Sequence, residues 1–334
     1  MNEVSLDRLF NVRLAFDHPV TVGITVGLIV AIVAAPVLLG AALALRRVDR
    51  DRRVELWKRY ATWVVLVPLL GGPILLGAAA TILGVALLSL LCYREYARAT
   101  GLFRERLISA VVVLGIVLVT FAVADHWYGL FAAITPLGVA AIVVVGLVGD
   151  RPRGYIQRVA LGTLGFLLFG VCFGHLAYMA NDADYRPLML TVLLCVEAND
   201  IFAYLCGKTF GRRQLAPNTS PDKTLGGSLG AMVLTTALYA VIGHFLFEGH
   251  ALGSVGALAA LGVTISVAGQ FGDLMLSSIK RDLGIKNIGA ALPGHGGLLD
   301  RFDSLILVAP AVFHFVGYYQ GFGIDEPTRI MTGG

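Results

Sequence analysis

Long apolar runs alternate along the chain with short polar connections. The stretch TVGITVGLIVAIVAAPVLLGAALAL, from Thr21 to Leu45, is apolar on every helical face and not along one stripe, the pattern of a helix with no side turned to water. An α-helix needs about 20 such residues to cross a hydrocarbon core of ~30 Å. Ten windows fit this description, at about 21–45, 60–72, 74–93, 107–124, 129–148, 158–179, 188–207, 226–247, 252–279 and 303–322. The second and third are short and meet at Gly71-Gly72-Pro73. That tripeptide reads as a turn, as a kink in one long tilted helix or as a re-entrant pair, so nine spans is the alternative. Strands of a membrane barrel alternate in polarity over ~10 residues, and these windows do not. The predicted fold class is therefore all-α, a polytopic integral membrane helical bundle of nine or ten transmembrane helices. About six spans fall in an N-terminal part, 1–187. The rest form a C-terminal region, 188–334, with hydrophilic loops at 208–225 and 280–302.

Charge then orients the bundle. Of 334 residues, 57% are hydrophobic and 14% charged, against roughly 25% charged in soluble domains, which excludes an ordinary soluble domain. Lys and Arg number 7 in 46–59, 4 in 94–106, 3 in 151–158, 4 in 208–223 and 4 in 280–301, together 22 of 26. These connections alternate with others that hold almost none. The basic side is then cytoplasmic and both termini lie outside. The net charge of +4 mostly expresses this topology, and no nucleic-acid partner is expected. The segment RRVDRDRRVELWKR, 46–59, reads as a topology determinant touching anionic head groups. The first twenty residues lack the basic, apolar and small-residue regions of a secretory signal, so the first helix is expected to stay. Cys92, Cys172, Cys195 and Cys206 are scattered without a CxxC pair and read as small core residues.

Polar residues inside spans are costly and hence informative. In LLCVEANDIFAYLCGK, Glu197, Asn199 and Asp200 interrupt the seventh helix, with Asp200 on the face of Glu197 and Tyr204 by the i, i+3, i+4 rule. In AGQFGDLMLSSIKRD, Gln270, Asp273, Ser277 and Lys280 line one face of the ninth. Each such residue alone reads equally as a hydrogen-bonded group that locks helix packing. Both faces, however, run into basic, Gly-rich loops. KTFGRRQLAPNTSPDKTLGGSLG carries Lys208, Arg212, Arg213 and Lys223 beside hydroxyls and Gly226-Gly227 at a helix start, where backbone amides and the helix dipole favour phosphate. The loop after the ninth helix adds Lys280, Arg281, Lys286, His295, Gly296, Gly297 and Arg301, then Asp300 and Asp303. Asp300 reads either as a partner of Arg301 or as a helix cap, and Asp303 as a cap. Alternatively both are ligands for a hard cation shared with phosphate, in a nucleotidyl-transfer site.

The stretch SSIKRDLGIKNIGAALPGHGGLLDRFDS resembles the signature of the phosphatidate cytidylyltransferase (CDP-diacylglycerol synthase) family. That signature runs S-x-apolar-K-R, four residues, K-D-x-small, two residues, apolar-P-x-H-G-G-apolar-x-D-R-apolar-D. Ser277, Lys280, Arg281, Lys286, Gly289, Pro293, His295, Gly296, Gly297, Asp300, Arg301 and Asp303 all fall in register. NDIFAYLCGKTFGRR is similar to the family's N-D-x-x-A-Y-x-x-G-x-x-x-G-[KR] segment, and SPDKTLGG to its S-P-K-K-T-x-E-G loop. The likeness is specific from about 195 to 305, and the N-terminal half matches only in hydropathy. Asn287 stands where the pattern has Asp, Asp222 where it has Lys and Gly226 where it has Glu. These departures bear on substrate identity and rate, and a divergent paralogue is the alternative.

The resemblance implies transfer of a cytidylyl group from CTP to phosphatidate, giving CDP-diacylglycerol and pyrophosphate. It implies Mg²⁺, with room for a second metal ion, held by Asp273 and Asp300 with Asp200 and Asp303 as further candidates. Lys223, Lys280, Arg281 and Arg301 would hold phosphates, Ser220 and Thr224 would donate hydrogen bonds, Ser277 would assist in substrate binding, and Gly296-Gly297 would let amides close on the nucleotide. His295 would serve either as acid toward pyrophosphate or as a structural hydrogen bonder. The expected setting is the cytoplasmic (inner) membrane of a bacterium, with the site on the cytoplasmic side and a homodimer as the family's assembly. The alternatives are the same transfer onto another lipid phosphate, an inactive paralogue and a membrane transporter, whose buried polar groups would sit nearer the bilayer centre.

Overall fold

Backbone placed in hydrocarbon must satisfy its own hydrogen bonds, so the apolar runs become helices and the one sheet among the described residues lies outside them. The structure, a computed structural model, describes residues 9–45, 50–290, 292, 296–322, 324 and 329–333. Among these, ten helices are long and apolar enough to cross a membrane, and the protein is a multi-pass membrane protein. They are α1 (Pro19–Leu45), α2 (Arg50–Leu76), α3 (Ala78–Ala99), α4 (Arg106–Ala124) and α5 (Tyr128–Val145), then α6 (Tyr155–Asn181), α7 (Tyr185–Phe210), α8 (Leu225–Leu246), α9 (Val255–Asp282) and α10 (Leu299–Gln320). One detail departs from an all-helical expectation. The loop after α7 folds into an antiparallel hairpin, β1 (Gln214–Ala216) and β2 (Ser220–Thr224), pairing Gln214 with Thr224 and Ala216 with Ser220.

The second and third spans also meet elsewhere than expected. α2 begins at Arg50 and runs straight through Gly71-Gly72-Pro73, and the break comes at Gly77. Glycine and proline weaken a helix by about 1 and 3 kcal/mol in water, but a free amide in lipid costs more, so the helix continues past them. Gly77 adopts φ +137° against the N-terminal segment, where a Cβ would lie 2.7 Å from the Leu9 carbonyl oxygen. The Thr81 hydroxyl donates to the carbonyls of Pro73 and Gly77, at 3.1 and 2.9 Å, and so closes the corner. At the other end of α2 the polar turns are helical, with Arg59 donating to Glu55 at 2.5 Å one turn away.

Buried residues from Val20 to Phe322 form one continuous core. Within it α6 passes through a π-helical stretch, Phe166–Cys172. The Phe166 ring fills the space beside Gly115, Gly138 and Gly170, where a Cβ would approach within 2.6, 2.5 and 2.9 Å. A cluster of rings then ties α5, α6 and α10 together: Phe313 lies against Tyr178 at 5.6 Å and stacks on Phe322 at 5.0 Å between centroids, and Phe131 meets His175 at 4.9 Å. This cluster fixes the depth of α10.

The chain's end is fastened to the α4–α5 turn. The Asp125 carboxylate accepts from the Met331 amide at 2.5 Å, the Thr332 amide at 3.0 Å and the Thr332 hydroxyl at 2.6 Å. The Arg329 guanidinium covers the Trp127 ring at 4.0 Å. Burial pushes the Asp125 carboxyl up, but the hydrogen bonds from Thr332 and Met331 and the charge of Arg329 outweigh it and hold the group below its ordinary value. A depressed carboxyl stabilises the fold above its unfolded pKa, and the contribution fades as pH falls through the folded one. Acidification is therefore expected to release residues 329–333, seen as a change in fluorescence on loss of the Arg329 contact to Trp127. Asp125→Asn should release the segment at neutral pH, weakening its docking by about 1.5–3 kcal/mol. A Trp127 signal unchanged by both acid and the substitution would contradict this account of the strap.

Candidate functional site

Small residues bring α7, α8 and α9 together below the hairpin. A Cβ on Gly227 would stand 2.6 Å from the Ala203 carbonyl oxygen, and one on Gly230 2.5 Å from the Cys206 Cβ. Polar groups are satisfied inside this contact: Asn199 accepts from Thr235 at 3.1 Å and Ser266 at 2.6 Å, Gln270 donates to Ser266 at 3.0 Å, and Ser228 donates to Gln270. Asn199 and Gln270 thus lock helices, since polar bonds in an apolar bundle fix register. On the other side α10 lies so close to α9 that a Cβ on Gly272 would stand 2.5 Å from the Asp303 carbonyl oxygen. The residue after Gly272 is Asp273.

These contacts gather three carboxylates from three helices. Asp200 of α7 feels the charges of Asp273, Lys223 and Arg301, and Asp303 of α10 feels those of Asp273, Asp200 and Lys280. Glu197, one turn before Asp200, lies in the field of Asp200 and Arg301. Lys223 of β2 forms an ion pair with Asp273, and the Ser277 hydroxyl donates to the same carboxylate at 3.2 Å. Asp303 is buried and accepts from the Ser304 amide at 2.8 Å. The buried Nε of Arg301 has no hydrogen-bond partner. An unpaired guanidinium nitrogen at such a place costs free energy unless a ligand accepts from it.

Asp300 sits differently. One oxygen takes Lys280 at 3.0 Å, and the other takes the amides of Ile288 at 3.0 Å and Gly297 at 2.9 Å. Its side chain is 5% exposed, so it clamps the loop that connects α9 to α10. Gly296, at φ +85°, turns that loop, and its carbonyl accepts from Leu292 at 2.8 Å. Arg281 donates to the Thr219 carbonyl at 3.1 Å and pins the hairpin to α9. Thr224 caps α8, its hydroxyl accepting from the Gly227 amide at 3.1 Å, and Ser220 opens β2 opposite Ala216. His295 lies outside the described residues.

Glu95 of α3 escaped the sequence reading. Its oxygens accept from the amides of Leu298 at 3.1 Å and Leu299 at 2.9 Å, capping α10 from the N-terminal half of the chain. Gly289 and Gly297 make room for it, since a Cβ on either would come within 2.6 or 2.5 Å of its carboxylate. In sequence it is one acid between Arg94 and Arg98, with nothing to mark a partner two hundred residues away.

Among the described residues no three His, Cys, Asp or Glu side chains close round one point as a ready cage. Mg²⁺ does not ask for one: it takes one or two carboxylates and completes its octahedron with water and phosphate oxygens. A pair drawn from Asp200, Asp273 and Asp303 fits that demand. Elsewhere on α9, an outward-facing groove of about 650 Å³ runs under the hairpin between Phe271, Leu274, Met275 and Leu307.

Comparison with known proteins adds a family. Residues 57–319 match the model of the cytidylyltransferase family. The chain is 37% identical over 240 residues to the uncharacterized protein YnbB of Escherichia coli K12, covering 70% of this chain and 78% of that one. It is 31% identical over 225 residues to a phosphatidate cytidylyltransferase of Bacillus subtilis, covering 64% and 81%, and 29% identical over 253 residues to one of Thermotoga maritima, covering 69% and 91%.

The Glu95 cap is expected to be worth about 0.5–2 kcal/mol, as helix caps are. Glu95→Ala should raise hydrogen exchange in the peptide spanning 296–303, and Glu95→Gln, which keeps one carbonyl acceptor, should recover part of the protection. Equal exchange in wild type and Glu95→Ala would remove Glu95 from this role.

Proposed function

The chain belongs to the cytidylyltransferase family, and from its membership we propose that this nucleotidyltransferase moves the cytidylyl group of CTP onto phosphatidate, giving CDP-diacylglycerol and pyrophosphate. The observation that carries the proposal is the meeting of Asp200, Asp273 and Asp303 with Lys223 and with Arg301, whose buried Nε has no partner. A lipid phosphate and a nucleoside triphosphate are both anionic, and both need such cations and metal-binding carboxylates.

In the reaction an oxygen of the lipid phosphate bonds to the α-phosphorus of CTP as the bond from that phosphorus to the bridging oxygen breaks and pyrophosphate leaves. A phosphomonoester is largely ionised near neutral pH, so no strong base is required. The obstacle is repulsion between two anions and the charge gathering on the leaving group, which fixed cations relieve. Arg301 offers its free Nε to a phosphate oxygen, and Lys223 shares its charge between Asp273 and the incoming nucleotide. Lys280 and Arg281 act at one remove, through Asp300 and the Thr219 carbonyl, by holding the two loops against the site. Mg²⁺, when bound by Asp273 with Asp200 or Asp303, supplies Lewis-acid polarisation and charge neutralisation. The groove along Phe271 and Met275 receives acyl chains, so that the lipid need not leave the bilayer. Because the site lies beside the basic loops, the positive-inside rule puts it at the cytoplasmic face of the inner membrane.

One observation favours a second acceptor within the same reaction class. Gly226, where the family pattern has Glu, packs α8 onto α7 so tightly that a Cβ would stand 2.6 Å from the Phe210 carbonyl oxygen. The phosphate loop is therefore shaped differently at that position, and another lipid phosphate is the alternative substrate.

Purified protein given radiolabelled CTP, Mg²⁺ and a panel of lipid phosphates decides between them. Label in a lipid product with phosphatidate is the expected result. Label with another lipid phosphate alone would replace phosphatidate as acceptor, and no labelled lipid from any acceptor would defeat the proposal. Asp273→Asn is expected to lower turnover by at least about 10²-fold with an unchanged elution profile in detergent; near-normal turnover would remove Asp273 from the mechanism.

A further inference from the structure

Away from this site, the α3–α4 connection, the end of α5 and the approach to α6 enclose a cleft of about 200 Å³. Arg104, Arg106, Arg151 and Arg158 line it against a single acid, Glu105. Glu105 is already committed, to Arg151 at 2.9 Å and Arg158 at 3.8 Å. Arg158 also donates to the carbonyls of Arg153 and Arg151, both at 2.6 Å, so one wall is a rigid lattice. Arg104 and Arg106 are exposed, and neither pairs with a carboxylate among the described residues.

A second feature points the same way. The first turn of α4, Arg106 to Ile108, lines the cleft, and its preceding residue, Glu105, gives that helix no side-chain cap. The amide end of a nineteen-residue helix thus borders a pocket of surplus positive charge, the arrangement that suits a phosphate. The rim is apolar: Leu107 and Val148 are 54% and 55% exposed, and Leu114 and Val144 continue the apolar surface down α4 and α5. A topology determinant needs basic residues in a loop but neither an enclosing cleft nor an uncapped helix end.

We propose that this cleft binds the phosphate of an anionic phospholipid at the basic face of the bundle, with the acyl chains lying along the outer faces of α4 and α5. Basic pockets between membrane helices take such head groups. The site is independent of the reaction proposed above, since none of its residues belongs to the cluster around Asp273.

Native mass spectrometry of the full chain, titrated with dioleoylphosphatidylglycerol, with dioleoylphosphatidylcholine or with inorganic phosphate, tests it. Wild type is expected to retain one phosphatidylglycerol more than Arg104→Gln/Arg106→Gln, whose affinity should fall by about 10-fold or more. Arg104→Lys/Arg106→Lys, which keeps the charge, should retain most of the binding and so separates loss of the site from misfolding. Arg53→Gln/Lys58→Gln, the same charge change on exposed α2, where a basic segment touches head groups without a cleft, should lose far less than Arg104→Gln/Arg106→Gln. If only inorganic phosphate shows the Arg104 and Arg106 dependence, the anion site stands and a free phosphate is its ligand. Equal loss in the α2 variant, equal binding of phosphatidylcholine, or no loss in Arg104→Gln/Arg106→Gln would overturn the proposal.

Discussion

Charged carboxylates repel one another, and Asp200, Asp273 and Asp303 lie within reach of one another's charge. The force is met in two ways. Fixed cations, Lys223 from the hairpin and Arg301 from α10, stand among the acids. Close helix contacts through Gly227, Gly230 and Gly272 pack the backbones of α7, α8, α9 and α10 against one another. Low polarity around such groups makes both the repulsion and its relief larger than in water.

That arrangement divides the charged residues into two kinds. Some face the cluster, and others build the frame that presents it. Asp300 and Arg281 belong to the frame, since their partners are backbone groups of the loops. Glu95 extends the frame into the N-terminal half by capping α10, and the rings around Phe313 set the helix's depth. Glu95 and this aromatic cluster thus tie N-terminal helices to α10, and Tyr185 of α7 adds a bond to the Ile74 carbonyl of α2 at 3.1 Å.

The placement of apolar and charged surfaces fits a lipid substrate class. The groove runs along α9 in the C-terminal half, whereas the arginine cleft at α4 lies among residues of the other half. Two phosphate-suited places on one basic face would let the protein hold membrane lipid without occupying the site of reaction.

The amino-acid sequence alone determined the helical membrane class, the approximate spans, the alternation of basic connections and the segments that carry the candidate site residues, because each depends on local composition or on spacing within one stretch. Hydrophobic length sets a span without reference to its neighbours. Its limits appear where neighbours decide. At Gly71-Gly72-Pro73 the local rule favours a turn, yet lipid keeps the helix intact and the contact with Leu9 moves the corner to Gly77. Asp273 and Asp300 look alike in sequence, one aspartate beside a basic loop each, and only packing turns the first toward Asp200 and the second onto the amides of Ile288 and Gly297. Glu95 shows the gap most plainly, because a hydrogen bond between residues two hundred apart leaves no periodicity to read. Tertiary structure alone decided those partnerships, since they exist only once separate helices lie within hydrogen-bonding distance.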